Sequence, residues 1–360
     1  MSTSRGLPAS APERIARRFE IEAEVLAIRP LGRGLINDTF AVLTSRQGYV
    51  LQRINTHVFP RPEQIMANLL ALTELLDQAD GSDVRIPRLI LTWDGAPLTR
   101  DETGEPWRMM ELITNTKTLT RLETAEEAEA VGHVLGTFHR TAARLPLEQF
   151  GLSLPGLHET GSYLERLRRA LAAHEAARCA AVETLVKLIG QREHLVEALE
   201  SARRDGRATT RITHGDPKLD NILFAQDGAK AVAIIDLDTV QPGLVQHDLG
   251  DCLRSCCNRS GEAGTACFDL ETCEAILAGY AEQMGGVLSP AEVETLYAAI
   301  ALIPLELGIR FLTDYLEGNR YFRVEFPEQN LRKAEIQLAL AADIERKEAR
   351  LREMIAAAFT

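Results

Sequence analysis

The stretch Thr213-His214-Gly215-Asp216-Pro217-Lys218-Leu219-Asp220-Asn221-Ile222-Leu223-Phe224, followed by Ile234-Ile235-Asp236-Leu237-Asp238-Thr239, decides how the chain is read. It offers an Asp and, five residues later, an Asn on a loop, then an Asp at the end of an apolar strand. Phosphoryl transfer from a nucleotide asks for few covalent participants. It needs a carboxylate to orient the attacking hydroxyl and accept its proton, and amide and carboxylate oxygens to hold magnesium on the phosphates. The order His-x-Asp-x-x-x-x-Asn and then Asp supplies that set.

This motif sits in the one β-rich island, residues 211–235, of a second half that is otherwise helical. The Ala, Leu, Glu and Arg-rich pattern there predicts helices over 124–143, 162–177, 181–202, 270–284, 290–316 (interrupted at Pro304) and 330–358. Upstream, apolar alternations split by turn signals predict strands over 23–31, 39–44, 48–54, 84–93 and 107–113, with a helix over 63–76. The expected fold class is therefore α+β: a small antiparallel-sheet lobe with one helix, then a larger, mainly helical lobe. The boundaries read as a flexible N-terminus (1–16), a first lobe (17–113) and a second lobe (114–360) with its chemistry in loops between 211 and 250.

Composition narrows the partners. The chain has 360 residues, enough for a hydrophobic core without disulfides or metals, and 40 Lys+Arg against 52 Asp+Glu give it a net charge of −12. That balance argues against a nucleic-acid reader, which needs a basic face. It leaves phosphate chemistry open, because magnesium can supply positive charge locally. Residues 1–12 lack an apolar signal-peptide core, and residues 297–312 are broken by Pro304, Glu306 and Arg310 and read as too short and too charged for a membrane span. The six cysteines form no Cys-x-x-Cys pair and read as small buried apolar residues. A cytoplasmic location is the expectation.

The run His214-Gly215-Asp216 to Asn221, with Ile235-Asp236 and the segment 243–248 after it, resembles the aminoglycoside phosphotransferase and choline kinase superfamily, relatives of protein kinases. Gly34-Leu35-Ile36-Asn37, Tyr49-Val50-Leu51-Gln52 to Asn55, and Arg310-Phe311-Leu312-Thr313-Asp314-Tyr315-Leu316-Glu317-Gly318 resemble the bacterial N-acetylhexosamine 1-kinases within it, and the similarity runs over residues 17–342. The resemblance implies a bilobal, protein-kinase-like fold and transfer of the ATP γ-phosphoryl group to the anomeric hydroxyl of an N-acetylhexosamine. Asp216 is then the catalytic base, Asn221 and Asp236 ligate Mg2+, and Lys218 either stabilises the transferring phosphoryl group or is an ordinary solvated lysine. His214 reads as an architectural residue of the loop.

In the first lobe, Gly32-x-Gly34 lies between strand-like runs, where glycines let backbone amides approach phosphates. Asn37 occupies the place of a third glycine. Gln52 stands where protein kinases carry a lysine, which puts the usual Lys–Glu ion pair in doubt; Glu63 and Glu74 both lie on the following helix. Backbone groups at Glu111 and Ile113 are the expected hinge contacts to adenine, and Met109-Met110 reads as core. Asn37, Arg310 and Tyr321 are the candidate sugar contacts, a carboxylate ion pair being the competing account for Arg310. Expected partners are a nucleotide and a small sugar, with no nucleic acid and no membrane; the oligomeric state is open. The alternatives are another small alcohol as acceptor (aminoglycoside, choline, homoserine, cyclitol) or a non-catalytic nucleotide-binding regulator.

Overall fold

A computed structural model describes residues 11–32, 36–78, 84–173, 179–259 and 266–360. The first part runs α1 (Ala11–Ala16), β1 (Val25–Pro30), β2 (Asp38–Thr44), β3 (Gly48–Arg53), α2 (Pro62–Gln78), β4 (Leu89–Ile90), β5 (Thr99–Arg100) and β6 (Pro106–Glu111). Its strands form one antiparallel sheet in the order β1-β2-β3-β6-β4, with β5 on β6. The register puts Gln52 on the middle strand opposite Thr39 on one side and Arg108 on the other.

Two cores divide the apolar residues. Ile15, Ala16, Phe19, Val42, Leu51, Trp107 and Met109 form a small one against the sheet. Residues 11–16, read from sequence as part of a flexible N-terminus, thus form a helix whose Ile15 and Ala16 are buried. Burial of that apolar pair stabilises a helix too short to persist alone. The α2 face of Ile65, Met66, Leu69 and Leu72 joins the main core instead. Asn68 on that helix donates from Nδ2 to the carbonyls of Gly151 and Val240, each at 2.8 Å.

The larger part runs β7 (Thr116–Lys117), α3 (Ala125–Ala142), α4 (Thr160–Ala173), α5 (Ala180–Gly190), α6 (Glu193–Val196), α7 (Ala198–Arg204), β8 (Arg211–Thr213), β9 (Ile222–Ala225), β10 (Ala231–Ile234), β11 (Gln241–Gly243), α8 (Val245–Cys256), α9 (Leu270–Met284), α10 (Pro290–Glu294), α11 (Leu296–Leu316), α12 (Gln329–Arg346) and α13 (Glu348–Ala358). The strand pairing explains why two loops far apart in the motif meet. Strand β8 pairs with β11, and β9 with β10, while β7 pairs with β9. The loop from β8 to β9 and the loop from β10 to β11 therefore cross the same gap side by side.

Helix α11 departs from the sequence reading. It passes through Pro304 without interruption, and the break falls at Thr295. A proline in a helix interior costs about 3 kcal/mol. Burial of every residue from Ala299 to Glu306 offsets that cost. At 21 residues α11 is long and apolar enough to cross a membrane, but 83% of its most apolar window is buried inside the protein, as expected of a core helix. The run 330–358 is two helices that meet at Lys347, and the run 181–202 is three.

Candidate active site

The loop after β8 is built from its own residues. The His214 side chain accepts from the Asp216 amide at Nδ1 (3.2 Å), and its Nε2 faces the Ile235 carbonyl at 3.0 Å. That pair of bonds selects the neutral imidazole with the proton on Nε2. Burial also lowers its pKa. His214 is thereby a strut between the two loops. Gly215 sits at φ +85°, and a Cβ there would come within 2.8 Å of Thr239, so the turn needs a glycine. From behind, Asp248 on α8 accepts from the amides of His214 (2.6 Å) and Gly215 (2.9 Å) and from His139 Nε2 (2.8 Å). Burial alone would raise the Asp248 carboxyl, but His139 and the His214 amide hold it below its ordinary value.

Asp216, Lys218 and Asn221 converge on this loop. Lys218 Nζ lies 2.6 Å from Asp216 Oδ2. Asn221 Nδ2 donates to the Asp216 carbonyl (2.8 Å) and to Oδ2 (3.2 Å), leaving its Oδ1 as the oxygen it can offer. Burial works to raise Asp216, and the charge and hydrogen bond of Lys218 outweigh it, keeping the carboxylate ionised. Lys218 in turn is held above its ordinary value by Asp216 and Asp236 against the cost of burial. An ionised carboxylate with a lysine beside it can take a proton from a hydroxyl.

Asp236 occupies the second loop in the left-handed region, at φ 65° and ψ 55°. Its residue is open to the cleft, yet the surrounding protein and the neighbouring Asp238 and Asp216 carboxylates push it up to about 6. The Ile235 amide donates to the Asn221 backbone carbonyl at 2.9 Å, which ties the two loops together, and the Asn221 amide oxygen and Asp236 carboxylate are hard oxygens of the kind a divalent cation takes.

The first lobe reaches this loop through a buried clasp. Arg108 is 1% exposed and pairs with Asp238, itself 2% exposed. Arg108 also donates from Nε (3.0 Å) and Nη2 (2.7 Å) to Gln52 Oε1, and Gln52 Nε2 donates to Thr39 Oγ1 at 3.0 Å. Asn37 Nδ2 donates to Asp238 Oδ2 (2.7 Å), and its Oδ1 accepts the Asn55 amide (3.0 Å). Asn37, expected on the sugar, is thus bonded at both ends between the lobes, and Gln52, expected on the nucleotide, has its amide engaged by Arg108 and Thr39. Glu63 pairs with Arg100 at the surface, 2.5 Å away, and so is not the partner of Gln52.

Gly32 takes φ +70° with open space around its α-carbon, whereas Gly34 lies outside the described residues. At the hinge the Glu111 amide is spent on the Arg88 carbonyl (2.9 Å) and the Leu112 amide on Gly48 (3.1 Å), and the Ile113 carbonyl accepts from Thr116 Oγ1 (3.0 Å). Met109 and Met110 are both buried, Met109 in the small core.

On the helical side Arg310 lies in an aromatic box. Its guanidinium carbon is 5.1 Å from the Tyr163 ring, 5.8 Å from Tyr321 and 5.7 Å from Phe322. The carboxylate alternative is met only loosely, by Glu306 at 4.0 Å. Glu306 is instead bonded to His158 Nδ1 (3.0 Å) and Thr160 Oγ1 (2.6 Å). Burial would raise the Glu306 carboxyl, but His158 and Arg310 hold it at about 2. Burial would lower Arg310, but Tyr163, Tyr321 and Glu306 outweigh it and hold the guanidinium above its ordinary value. Asp314 shapes the wall by accepting the amides of Arg320, Tyr321 and Phe322.

Sequence reasoning passed over Arg108, Asp238, Asp248 and Glu306. For Arg108 a signal existed, a charge inside the apolar strand Trp107-Arg108-Met109-Met110. Cys252, Cys256, Cys257 and Cys273 lie in the main core as unpaired thiols, and among the described residues no cluster of His, Cys, Asp and Glu has metal-holding geometry of its own.

The family model that describes the phosphotransferase enzyme family matches residues 27–285. Among solved structures, a microcompartment-associated aminopropanol kinase is similar at 16% identity and a TM-score of 0.68, covering 94% of this chain and 97% of that one. An aminoglycoside phosphotransferase from Alicyclobacillus acidocaldarius is similar at 14% identity and 0.67, with 99% of both chains covered. An amicoumacin kinase in complex with AMP-PNP and Ca2+ follows at 15% identity and 0.62, with 98% and 94% covered. At such identities the likeness speaks for the fold.

Proposed function

The chain belongs to the phosphotransferase enzyme family, and on that premise we propose that it transfers the γ-phosphoryl group of ATP to the anomeric hydroxyl of an N-acetylhexosamine. The observation that carries this reading is Asp216, kept ionised by Lys218 at 2.6 Å and steadied by Asn221, on a loop that lies beside the Asp236 loop. Asp216 orients the sugar hydroxyl and accepts its proton as the oxygen attacks phosphorus. Lys218 offsets charge on the transferring group. Asn221 Oδ1 and the Asp236 carboxylate are the groups to hold magnesium, which when bound neutralises phosphate charge and relieves the crowding that raises Asp236 to about 6. With the Glu111 and Leu112 amides already bonded within the protein, backbone groups at Ile113 are the ones to meet the adenine edge, and Gly32 lets the loop approach the phosphates.

The acceptor class is supported by Arg310. Its guanidinium, set among Tyr163, Tyr321 and Phe322, is a fixed cation on the helical side, which disfavours amine-bearing acceptors such as aminoglycosides, choline or aminopropanol and suits a neutral polyol. Tyr163, Tyr321 and Phe322 around it offer the apolar faces on which a pyranose stacks.

The test is ADP release over a panel of N-acetylglucosamine, N-acetylgalactosamine, unacetylated hexoses, aminoglycosides, choline and aminopropanol, with the product's phosphate located by phosphorus NMR. The expected result is a 1-phosphate of an acetylated hexosamine. Turnover confined to an amine-bearing acceptor would overturn the assignment, and nucleotide binding without turnover of any acceptor would favour a regulator.

A further inference from the structure

The clasp contains an imbalance. The position on β3 that faces the site holds Gln52, a neutral residue, while the residue directly opposite it on β6 is a buried arginine. Arg108 spends Nε and Nη2 on Gln52 Oε1 and pairs Nη2 with Asp238. Its Nη1 is fully buried and has no hydrogen-bond partner. A buried guanidinium donor left without a partner costs stability, of the order of a lost charged hydrogen bond, unless something arrives to accept from it. Its ion-pair partner Asp238 lies two residues beyond Asp236 on the second loop, so the guanidinium stands between the sheet and the loop that presents Asp236.

We infer that Arg108 is the cation of the nucleotide phosphate site, transposed from β3 to the facing position of β6, with Nη1 as the donor reserved for a phosphate oxygen or its bound water. This rests on the nucleotide-dependent reading above. Gln52 then acts as a positioning residue: by accepting twice from the guanidinium it fixes the fork, and Asp238 anchors the far side. Because Asp238 is two residues from Asp236, one guanidinium ties the sheet, the phosphates and the second loop together.

The experiment is calorimetric binding of Mg·ADP to three proteins, with thermal melting as the check on folding. Arg108→Gln alone strands Asp238 in the core, so the informative variant is Arg108→Gln with Asp238→Asn, which removes both charges. It is expected to melt within a few degrees of wild type and to bind Mg·ADP about tenfold or more weakly, with acceptor affinity unchanged. The exchange Arg108→Gln with Gln52→Lys returns a cation to β3 and is expected to recover affinity to within about threefold. Wild-type affinity in the charge-free variant, or an exchange variant that binds no better than it, overturns the inference. Should the charge-free variant not fold, a wild-type Mg·ADP complex decides: Arg108 Nη1 facing a phosphate or a phosphate-bound water supports the transposition, and Nη1 facing neither overturns it. Wild-type protein that binds no nucleotide would sink the kinase reading instead.

Discussion

The Asp216 loop and the inter-lobe clasp are both polar networks, but they are assembled at opposite ends of the sequence scale. In the loop, Asp216 meets His214, Lys218 and Asn221 through bonds that span two to five residues. In the clasp, Arg108 meets Gln52 across 56 residues, and Asn37 meets Asp238 across 201. A local network forms wherever its short motif is written, so the motif alone announces it. A long-range network exists only once two sheets and a helical lobe have docked. The first should therefore govern chemistry and the second affinity, and variants can separate them.

The largest effect belongs to the loop. Asp216→Asn keeps an oxygen to accept from Lys218 and Asn221 but removes the proposed base, and turnover should fall about a hundredfold to ten-thousandfold. Mg·ADP affinity should stay within about threefold of wild type, as read by calorimetry. Unchanged turnover would end the assignment of Asp216 as base.

Next comes the post behind the loop. Asp248→Asn puts a donor in place of one of two oxygens, of which Oδ2 accepts from the His214 amide and His139 and Oδ1 from the Gly215 amide. Buried donors left facing a donor should cost about 3 kcal/mol of stability, seen as a lowered denaturation midpoint, and turnover should fall with it. A variant with wild-type stability would show that the loop holds its shape without α8.

How much of this was legible follows from the same contrast. The convergence of Asp216, Lys218 and Asn221 was readable because all three lie within one loop, and Asp236 follows the next strand but one. The sheet was readable because its alternation is local, although β4 shrank to Leu89–Ile90 and residues 11–16 turned out to be helical. Pro304 misled because helix propensity is a local quantity, and the burial of α11 that overrides it is not. The partners of Asn37 and Gln52 were not legible, because nothing near them in sequence shows that Asp238 and Arg108 stand across the fold. Glu306 was hidden in the same way, since His158 and Thr160 lie 148 and 146 residues away.

A smaller effect tests the support at the entry of β8. Glu292 accepts from Arg211 and from the amides of Ser289 and Thr209. Burial would raise its carboxyl, yet these partners hold it at about 2. A carboxyl depressed in the folded state contributes stability above its ordinary value of 4.5, and that contribution is lost as pH falls from there toward 2. Glu292→Gln should cost about 2 kcal/mol at neutral pH. The gap in melting temperature between wild type and variant should close as the pH is lowered through that window. A gap independent of pH would mean that packing, and not charge, carries the contribution.

The smallest effect belongs to the rim of the clasp and decides whether the two networks are separable. Asn37→Ala removes one donor to Asp238 and frees the Asn55 amide, while Arg108 still neutralises the carboxylate. The loss should be about 1 kcal/mol. If the clasp serves affinity alone, the loss appears as an approximately fivefold rise in KM for the nucleotide, with kcat unchanged. Combined with Asp216→Asn, the two free-energy changes should add, because among the described residues Asn37 reaches the Asp216 loop only through Asp238 and the chain to Asp236. A fall in kcat at constant KM, or a coupling well above the ordinary error of such cycles, would show that Asp238 transmits the lobe contact to Asp236, making one network of the two.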